Sequence, residues 1–305
     1  MLQLYGLLAR TSHRNKLPND ERKCLAFKKD IEVSKRDKFR EAADRVFQNR
    51  DTWYDSLRKD KEYESRGVLI YPYDTISANI DPLFYLLDSS GIIEEFEDGR
   101  IAKVCDVGCA NGELSYCFSM TGFETTAVDF SYKHDQAPYI VSAISRQQDI
   151  PVAVIDTSVD THFDLSTLKS AIVYDPIRIF PEDSRFDLVV CFGLLYHLKN
   201  PFAFLESLAK VSRYVALGTH LFTHLPNLRV RLDTEPVAYL VDSGELNGDP
   251  TNFWVFSEMA FHRLVRRAGF EIVASKTIPN HPLEIAVPDR TDLGVRGFVM
   301  LKSIA

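Results

Sequence analysis

The sequence predicts an α/β protein whose doubly wound, mostly parallel sheet has seven strands and is preceded by an N-terminal helical extension. From about residue 100 onward, apolar stretches of strand length alternate with stretches of helical periodicity, which is typical of a parallel sheet covered by helices on both faces. The first 60 residues instead show mainly helical patterning. We therefore expect two domains, a helical cap at 1–90 and a sheet domain at 91–305 with a lid-like insertion at about 219–256.

The N-terminal extension contains an amphipathic helix with charged residues opposite an apolar stripe. The stripe consists of Phe39, Ala42, Ala43, Val46 and Phe47 and is continued by Trp53, Tyr54 and Leu57. Such a helix needs an apolar surface to pack on, so we expect the extension to cover a cleft in the sheet domain. Most of its aromatic side chains can equally be plain core.

The sheet domain follows the alternation in order. Strands are predicted at 101–107, 124–129, 151–156, 186–191, 214–218, 271–277 and 297–302, and helices at 112–120, near 138–147, 201–211 and 257–268. Asn200 and Pro201 supply a cap and a first-turn proline, and Gly269 is a helix stop. The stretch 157–183 has no predicted placement, and the insertion at 219–256 has the length of a binding loop.

A glycine-containing turn follows the first strand. Gly108 and Gly112 lack a Cβ atom, so the backbone can turn tightly and a ligand can approach it, and a helix beginning at about Glu113 offers free N–H groups. A dinucleotide fingerprint requires a second glycine where this chain has Ala110, so the turn does not indicate pyrophosphate binding.

The second strand ends in Asp129, about 20 residues beyond the glycines, where this topology places a carboxylate on ribose hydroxyls. A carboxylate can accept hydrogen bonds from both hydroxyls, which an amide does only in part. Asp106 ends the neighbouring strand, so two acids are expected at adjacent strand ends. The alternative is a structural turn in which Asp129 merely caps its strand.

This arrangement, with Asp106, Gly108 and Gly112 spaced as D-x-G-x-x-x-G and Asp129 on the second strand, resembles the class I S-adenosylmethionine-dependent methyltransferases. The resemblance implies a Rossmann-like fold and S-adenosyl-L-methionine as cofactor. Whether Asp156 or Asp175 faces the adenine is left open. The cofactor-binding residues it implies are Asp106, Gly108, Cys109, Gly112, Asp129, Phe130, Asp156 and Phe192.

Two further segments narrow the resemblance. Residues 193–201, Gly-Leu-Leu-Tyr-His-Leu-Lys-Asn-Pro, are similar to a segment of the subfamily that includes the bacterial tRNA wobble-uridine carboxymethyltransferases. Residues 245–254, Glu-Leu-Asn-Gly-Asp-Pro-Thr-Asn-Phe-Trp, resemble a loop of uncharacterised members. By this resemblance Tyr196 and Arg296 correspond to residues that the wobble enzyme uses. Its lysine has only Arg66 as a stand-in, which leaves carboxymethyl transfer in doubt.

Candidates for the chemistry lie near the ends of the later strands. His197, Tyr196 and His220 are the catalytic candidates, since histidine titrates near neutral pH, although His197 can instead have a structural role. His224, Trp254 and Arg296 are the candidates for substrate contact. No metal site is predicted, because the acids at 242, 245 and 249 lack a recognised ligand spacing.

Composition bounds the class of protein. The net charge is −7, yet residues 1–50 carry thirteen Lys and Arg against seven Asp and Glu, which indicates either nucleic-acid binding or, as we prefer, a solvated helical surface. No apolar run is long enough to span a bilayer, so no membrane contact is expected. Five cysteines without a C-x-x-C pair favour a cytoplasmic protein.

The sequence therefore predicts a methyltransferase that acts on an oxygen or nitrogen of a small-molecule or sugar acceptor by in-line transfer. One alternative is tRNA wobble-uridine modification, which the basic first fifty residues and the Leu-Tyr-His segment favour. Another is a cofactor-binding partner protein without catalysis, which the intact glycine turn argues against. The oligomeric state is open, a homo-oligomer included.

Overall fold

The computed structural model describes residues 33–66, 70, 75–130, 136–156, 159, 172–173, 185–223, 232, 234–246, 248–279 and 295–304. The chain divides into two compact units, Met1–Val33 and Ser34–Ala305, and the elements below all belong to the second. His224, Asp175 and most of the stretch 157–183 lie outside the described residues. The division into a cap and a sheet domain at residue 90 stays a prediction.

A single sheet forms the centre of the second unit. Its strands are β1 Lys103–Val107, β2 Glu124–Asp129, β3 Val152–Asp156, β4 Ile172–Val173, β5 Phe186–Phe192, β6 Ser212–Leu221, β7 Ala238–Leu240, β8 Trp254–Phe256, β9 Phe270–Pro279 and β10 Val295–Ser303. The main path runs in the order β4-β3-β2-β1-β5-β6-β10-β9. Strands β3, β2, β1, β5 and β6 are parallel, and β10 runs antiparallel to both β6 and β9.

All seven predicted strands are present, and the doubly wound, mostly parallel architecture is confirmed. The predicted number of strands is wrong, because the described residues contain ten. The additional strands are short: β4 has two residues and pairs with the end of β3, while β7 and β8 lie within the insertion. Strands of two or three residues show too few alternations for a pattern to reveal them.

Helices cover both faces of the sheet. Their bounds are α1 Lys35–Arg58, α2 Lys61–Arg66, α3 Thr75–Ser90, α4 Ile93–Asp98, α5 Glu113–Met120, α6 Ala137–Gln148, α7 Pro201–Val211 and α8 Glu258–Arg267. Asn200 caps α7 as predicted, since its side chain accepts a hydrogen bond from the Ala203 N–H. Gly269, with a φ of 98°, follows the end of α8.

Helix α1 buries most of its predicted stripe, including Phe39, Val46 and Leu57, which have no exposed surface. Phe39 contacts the rings of Phe84 and Phe118 at centroid distances of 5.5 and 4.9 Å. The placement of Phe47 in the stripe is wrong: its side chain is 48% exposed, with the Arg50 guanidinium 5.0 Å from its ring. Phe47 lies at the edge of the stripe, next to the exposed face of the helix.

Two hydrophobic clusters sandwich the sheet. Helices α1, α3, α5 and α6 share one cluster, and α7 and α8 share the other. Successive residues of a strand point to opposite faces, so Val104 belongs to the first cluster and Cys105 to the second. The chain leaves β1 toward β2 on one side and β5 lies on the other, which creates a switch point between β1 and β5 where this architecture binds ligands.

Candidate functional site

A cleft of about 850 Å³, including its open mouth, lies at the carboxyl ends of β1 and β5. The lining residues are Thr75, Asn79, Asp106, Gly108, Cys109, Ala110, Leu114, Asp129, Phe192, Gly193, Leu194, Tyr196, His197 and Arg296. The structure thus brings together eight of the sequence-predicted site residues: Asp106, Gly108, Cys109, Asp129, Phe192, Tyr196, His197 and Arg296.

The turn after β1 forms one wall of the cleft. Gly108 and Gly112 have φ angles of 74° and 80°, in the left-handed region that favours glycine. Ala110 has a φ of 48°, which is uncommon for a residue with a side chain. The Gly108 N–H donates to the Val128 carbonyl at 2.8 Å, so the turn is fixed to β2.

Gly108 lines the cleft, and its lack of a Cβ atom also has a packing role. Whether a ligand contacts its backbone stays a prediction. A Cβ atom there would lie 3.1 Å from Cβ of Leu194, which already fills that direction. At Gly112 a Cβ atom would lie 2.7 Å from a methyl group of Val141. Both glycines are therefore required by backbone conformation and packing, and Gly112 lies outside the lining of the cleft.

Asp129, at the end of β2, fastens the turn from the other side. Its Oδ2 atom accepts a hydrogen bond of 2.9 Å from the Ala110 N–H, and its Oδ1 atom accepts one of 2.7 Å from the Phe130 N–H. Both carboxylate oxygens of Asp129 thus accept a main-chain hydrogen bond. The carboxylate is therefore held in one orientation at the wall of the cleft.

Two predicted cofactor residues near Asp129 lie outside the cleft lining. Phe130 follows Asp129 directly, and its side chain is 48% exposed. Asp156 ends β3 and is paired in register with Asp129. Both flank the region beyond the end of β2, and whether either contacts a cofactor stays a prediction.

Asp106 is buried at the base of the cleft. Its side chain is 4% exposed and accepts a hydrogen bond of 2.7 Å from the Ser115 hydroxyl. Burial raises the pKa of Asp106 to about 6, although the bond from Ser115 opposes the shift. The carboxyl group is therefore an anion at neutral pH that has little contact with water.

Cys109 and Phe192 line the cleft without reactive character. Burial raises the pKa of the Cys109 thiol well above its usual value, and the carboxylates of Asp129 and Asp106 act in the same direction. Cys109 is thus protonated and is no nucleophile at neutral pH. The Phe192 ring packs edge-on against Phe298 with a centroid distance of 5.4 Å.

The opposite wall of the cleft is basic and aromatic. Arg296, which is 3% exposed, donates from Nη2 to the Tyr196 hydroxyl at 3.3 Å and to His220 Nε2 at 3.4 Å. Arg296 and His220 are direct cross-strand partners in the pairing of β10 with β6. His220 lies behind Tyr196, at 4.2 Å between ring centroids, and does not line the cleft.

His197 also lines this wall, in a single 3₁₀ turn at Leu195–His197 that follows β5. Burial lowers the pKa of His197, and the Arg296 charge contributes to the shift, while Asp249 and a hydrogen bond with Thr251 oppose it. A histidine with a lowered pKa is neutral near pH 7 and can accept a proton.

Sequence reasoning missed the contribution of helix α3. Thr75 and Asn79 line the cleft from the first turns of α3, and the Asn79 side chain donates to the Thr75 carbonyl at 2.8 Å. Thr75 is fixed to the start of α5, because its N–H and its hydroxyl both donate to Glu113. The presence of helices over the cleft was predictable, but the two residues carry no motif that would single them out.

Of the predicted substrate-contacting residues, Trp254 lies outside the lining of the cleft. Its indole N–H donates to the Lys199 carbonyl at 3.3 Å, which ties β8 to the segment before α7. His224 falls outside the described residues, as does the side chain of Arg66. Acceptor contact by Trp254 and His224 stays a prediction.

The residues that the structure describes contain no group of three or more potential metal ligands among their His, Cys, Asp and Glu side chains. Among the helices described, none is both long and apolar enough to cross a bilayer.

Comparison with known proteins agrees with this architecture. A family model described as a methyltransferase domain matches residues 75–275, from the start of α3 into β9. The match covers well over half of the chain and includes the glycine turn, Asp129 and the segment around His197.

Curated relatives of the chain are named as O-methyltransferases of ubiquinone biosynthesis. The ubiquinone biosynthesis O-methyltransferase of Proteus mirabilis (strain HI4320) is 31% identical over 132 residues, which are 43% of this chain and 44% of that protein. The chain thus spans less than half the length of this relative. The corresponding enzyme of Idiomarina loihiensis is 29% identical over 220 residues, which are 70% of this chain and 79% of that protein.

Among solved structures, the N-terminal domain of EvdMO1 with SAH bound is similar over 80% of this chain and 97% of that chain, with 17% sequence identity and a TM-score of 0.47. The family match includes the lining residues of the cleft except Arg296, which lies in β10 beyond residue 275. The chain therefore belongs to the methyltransferase-domain family.

Proposed function

We propose that this enzyme transfers a methyl group from S-adenosylmethionine to an oxygen atom of a small-molecule acceptor. The observation that carries the proposal is the polarity of the cleft: Asp106 and Asp129 lie on one wall, and Tyr196, His197 and Arg296 lie on the other. The acidic wall suits a cationic nucleoside cofactor, and the opposite wall suits an acceptor that must lose a proton.

The residues of the acidic wall fit the cofactor in their donor and acceptor chemistry. Asp129 offers two carboxylate oxygens in a fixed orientation, which matches a pair of ribose hydroxyls. Asp106 contributes negative charge at the base of the cleft, near a ligand that is itself positively charged. When bound, the cofactor supplies an electrophilic methyl group.

The residues of the opposite wall would position the acceptor and receive its proton. His197 is neutral near pH 7 because its pKa is lowered, so it is the candidate general base. Arg296 and the Tyr196 hydroxyl, 3.3 Å apart, supply hydrogen-bond donors at the same wall. His220 would act indirectly, since it contacts Arg296 and lies outside the lining.

The choice of oxygen over nitrogen rests on the relatives, whose names describe O-methyltransferases. An aliphatic or phenolic hydroxyl must be deprotonated as it is methylated, and this chemistry requires the base that His197 offers. Sugars with free hydroxyls are included in the proposed class of acceptor.

A tRNA acceptor is a second candidate, favoured by the contact between Tyr196 and Arg296, the two residues that match the wobble-uridine enzymes. The curated relatives do not support it. Retention of tRNA with a steep inverse dependence on salt would favour this alternative, because phosphate contacts release counterions. A cytoplasmic location and a homo-oligomeric state also stay predictions.

The experiment that tests the proposal combines binding and turnover. Calorimetry should detect S-adenosylhomocysteine binding to the purified protein. Incubation with methyl-labelled S-adenosylmethionine and a panel of phenols, sugars and amines should then label a hydroxyl acceptor, as read by mass spectrometry. Labelling of amines alone would contradict the proposal, and binding without any turnover across acceptors and tRNA would favour a non-catalytic partner protein.

A further inference from the structure

The insertion is fastened to the segment that carries His197. The Phe253 N–H donates to the Tyr196 carbonyl at 2.8 Å, and the Trp254 indole N–H donates to the Lys199 carbonyl. These bonds flank His197 on both sides. They bring the stretch 249–254 against the wall of the cleft, although more than 50 residues of chain separate the two segments.

The imidazole of His197 makes its contacts with this stretch through Nδ1. Nδ1 lies 3.0 Å from the Thr251 hydroxyl oxygen and 3.3 Å from the Thr251 carbonyl oxygen. The Thr251 hydroxyl in turn donates its hydrogen to Oδ1 of Asp249 at 2.6 Å. Asp249 also accepts a hydrogen bond of 2.8 Å from the Thr251 N–H.

These partners determine which ring nitrogen carries the proton. The carbonyl oxygen of Thr251 can only accept, and its hydroxyl has already committed its hydrogen to Asp249, so both oxygens present lone pairs to Nδ1. Nδ1 must therefore be the donor in the neutral ring. Nε2 then has no proton, and it is the atom left to accept one from a ligand in the cleft that His197 lines.

We propose that Thr251 and Asp249 are positioning residues that hold His197 in the tautomer with the proton on Nδ1, so that Nε2 is the base for a hydroxyl acceptor. The inference rests on the proposed function. In the reaction the acceptor oxygen forms its bond to the methyl carbon as the carbon–sulfur bond breaks with its electron pair going to sulfur. The hydroxyl proton moves to Nε2, and the resulting imidazolium later releases it to water.

The charges around His197 suit this role. Asp249 favours the imidazolium that forms on proton uptake, and Arg296 and burial disfavour it, so the ring is neutral before reaction. The Tyr196 ring packs beside the imidazole at 4.3 Å between centroids. Asp249, Arg296 and Tyr196 are the titratable or charged groups that face His197 from the insertion, β10 and its own segment.

The test is nuclear magnetic resonance of the full-length protein labelled with ¹⁵N-histidine, because ¹⁵N shifts and couplings to ring protons identify each tautomer. The signals of His197 are assigned by their loss in His197→Gln. Spectra are recorded from pH 5 to 8.5 for the wild type and for Thr251→Val, Thr251→Ser and Asp249→Asn. Valine matches threonine in shape without the hydroxyl, and serine restores the hydroxyl, so this pair isolates its effect.

In the wild type we expect neutral His197 to carry its proton on Nδ1. Thr251→Ser should retain that signature, whereas Thr251→Val should raise the fraction with the proton on Nε2, because one of two acceptors is lost. Asp249→Asn should lower the pKa of His197 further, because the carboxylate that stabilises the imidazolium is gone.

A wild-type ring protonated on Nε2 would overturn the inference. So would an unchanged tautomer in Thr251→Val together with an unchanged pKa in Asp249→Asn, because a merely structural pair would alter the melting temperature and leave the ring unaffected. Calorimetry with S-adenosylhomocysteine distinguishes failure of the proposed function from failure of this inference. If the wild type does not bind the compound, the proposed function is wrong. If the wild type binds it normally but His197 has the other tautomer, only the positioning role of Thr251 and Asp249 is wrong.

Discussion

The main-chain N–H of Ala110 donates a hydrogen bond of 2.9 Å to Oδ2 of Asp129, which stands 19 residues later in the chain. Ala110 adopts a φ of 48°, so the bond holds a residue with a side chain in a conformation that it rarely adopts. One carboxylate thereby fixes the turn that follows β1 and also lines the cleft. The same side chain thus fixes the backbone of the turn and forms part of the acidic wall.

We expect Asp129→Ala to reduce the affinity for S-adenosylhomocysteine by about 10- to 100-fold, because the loss of hydrogen bonding to a charged group costs about 1.5–3 kcal/mol. Asp129→Asn retains one acceptor oxygen, so its affinity should lie between those of the wild type and Asp129→Ala. Calorimetric titration gives both values. Equal affinity in all three proteins would show that the cofactor sugar lies elsewhere.

Gly112→Ala should unfold more easily than the wild type for two reasons that a control separates. The φ of 80° alone costs about 1–2 kcal/mol for an alanine, and the contact with Val141 at 2.7 Å adds about 1–3 kcal/mol. Gly122→Ala is the matched control, since its φ is 99° and a Cβ atom there meets nothing within 4 Å. Urea denaturation of both variants measures the difference, and equal losses would mean that Val141 moves aside freely.

The parts of this site that sequence could predict are those encoded by local patterns. The spacing of Gly108 and Gly112 after an apolar strand, and an acid at the end of the next strand, predicted the acidic wall correctly in position. Alternation of strands and helices likewise predicted the sheet, because each element is long enough to show its period. The two-residue strand β4 and the strands of the insertion were too short for that.

Contacts between distant segments could not be predicted in this way. Leu194 occupies the direction in which a Gly108 side chain would point, and no local pattern connects these two residues. Thr75 reaches the cleft through its bonds to Glu113, 38 positions later. His197 was predicted as a site residue, but its partner Thr251 lies 54 positions away in a segment whose acids had been considered only as metal ligands.

Glu113, the first residue of α5, connects helices α1 and α3 to the turn that follows β1. Its buried carboxylate accepts hydrogen bonds from the Tyr54 hydroxyl at 3.0 Å and from the N–H and hydroxyl of Thr75, and Arg50 lies 3.7 Å away. We expect Tyr54→Phe to lower the free energy of unfolding by about 1–2 kcal/mol and Glu113→Gln by about 2–3 kcal/mol. The double variant should lose less than the sum of the two, because both substitutions weaken the same contact between Tyr54 and position 113. Strict additivity in urea denaturation would show that the two side chains act independently.

The buried carboxyl group of Asp106 should make stability fall as pH rises. Its pKa is about 6 in the folded protein against an ordinary value of 3.8, so between these values the folded state binds more protons than the unfolded state. The free energy of unfolding therefore decreases from about pH 4 to about pH 6, by roughly 3 kcal/mol for a shift of this size.

The variant Asp106→Asn tests this pH dependence because it removes the titrating group. The stability of the variant relative to the wild type should rise between pH 4 and pH 6 and stay level above pH 6. Urea denaturation at half-unit steps of pH measures both proteins, and parallel curves would show that the pKa of Asp106 is the same in the folded and unfolded protein. The same variant should bind S-adenosylmethionine less well at pH 7.5, because the charge that destabilises the fold is one that the sulfonium of this cofactor is proposed to meet.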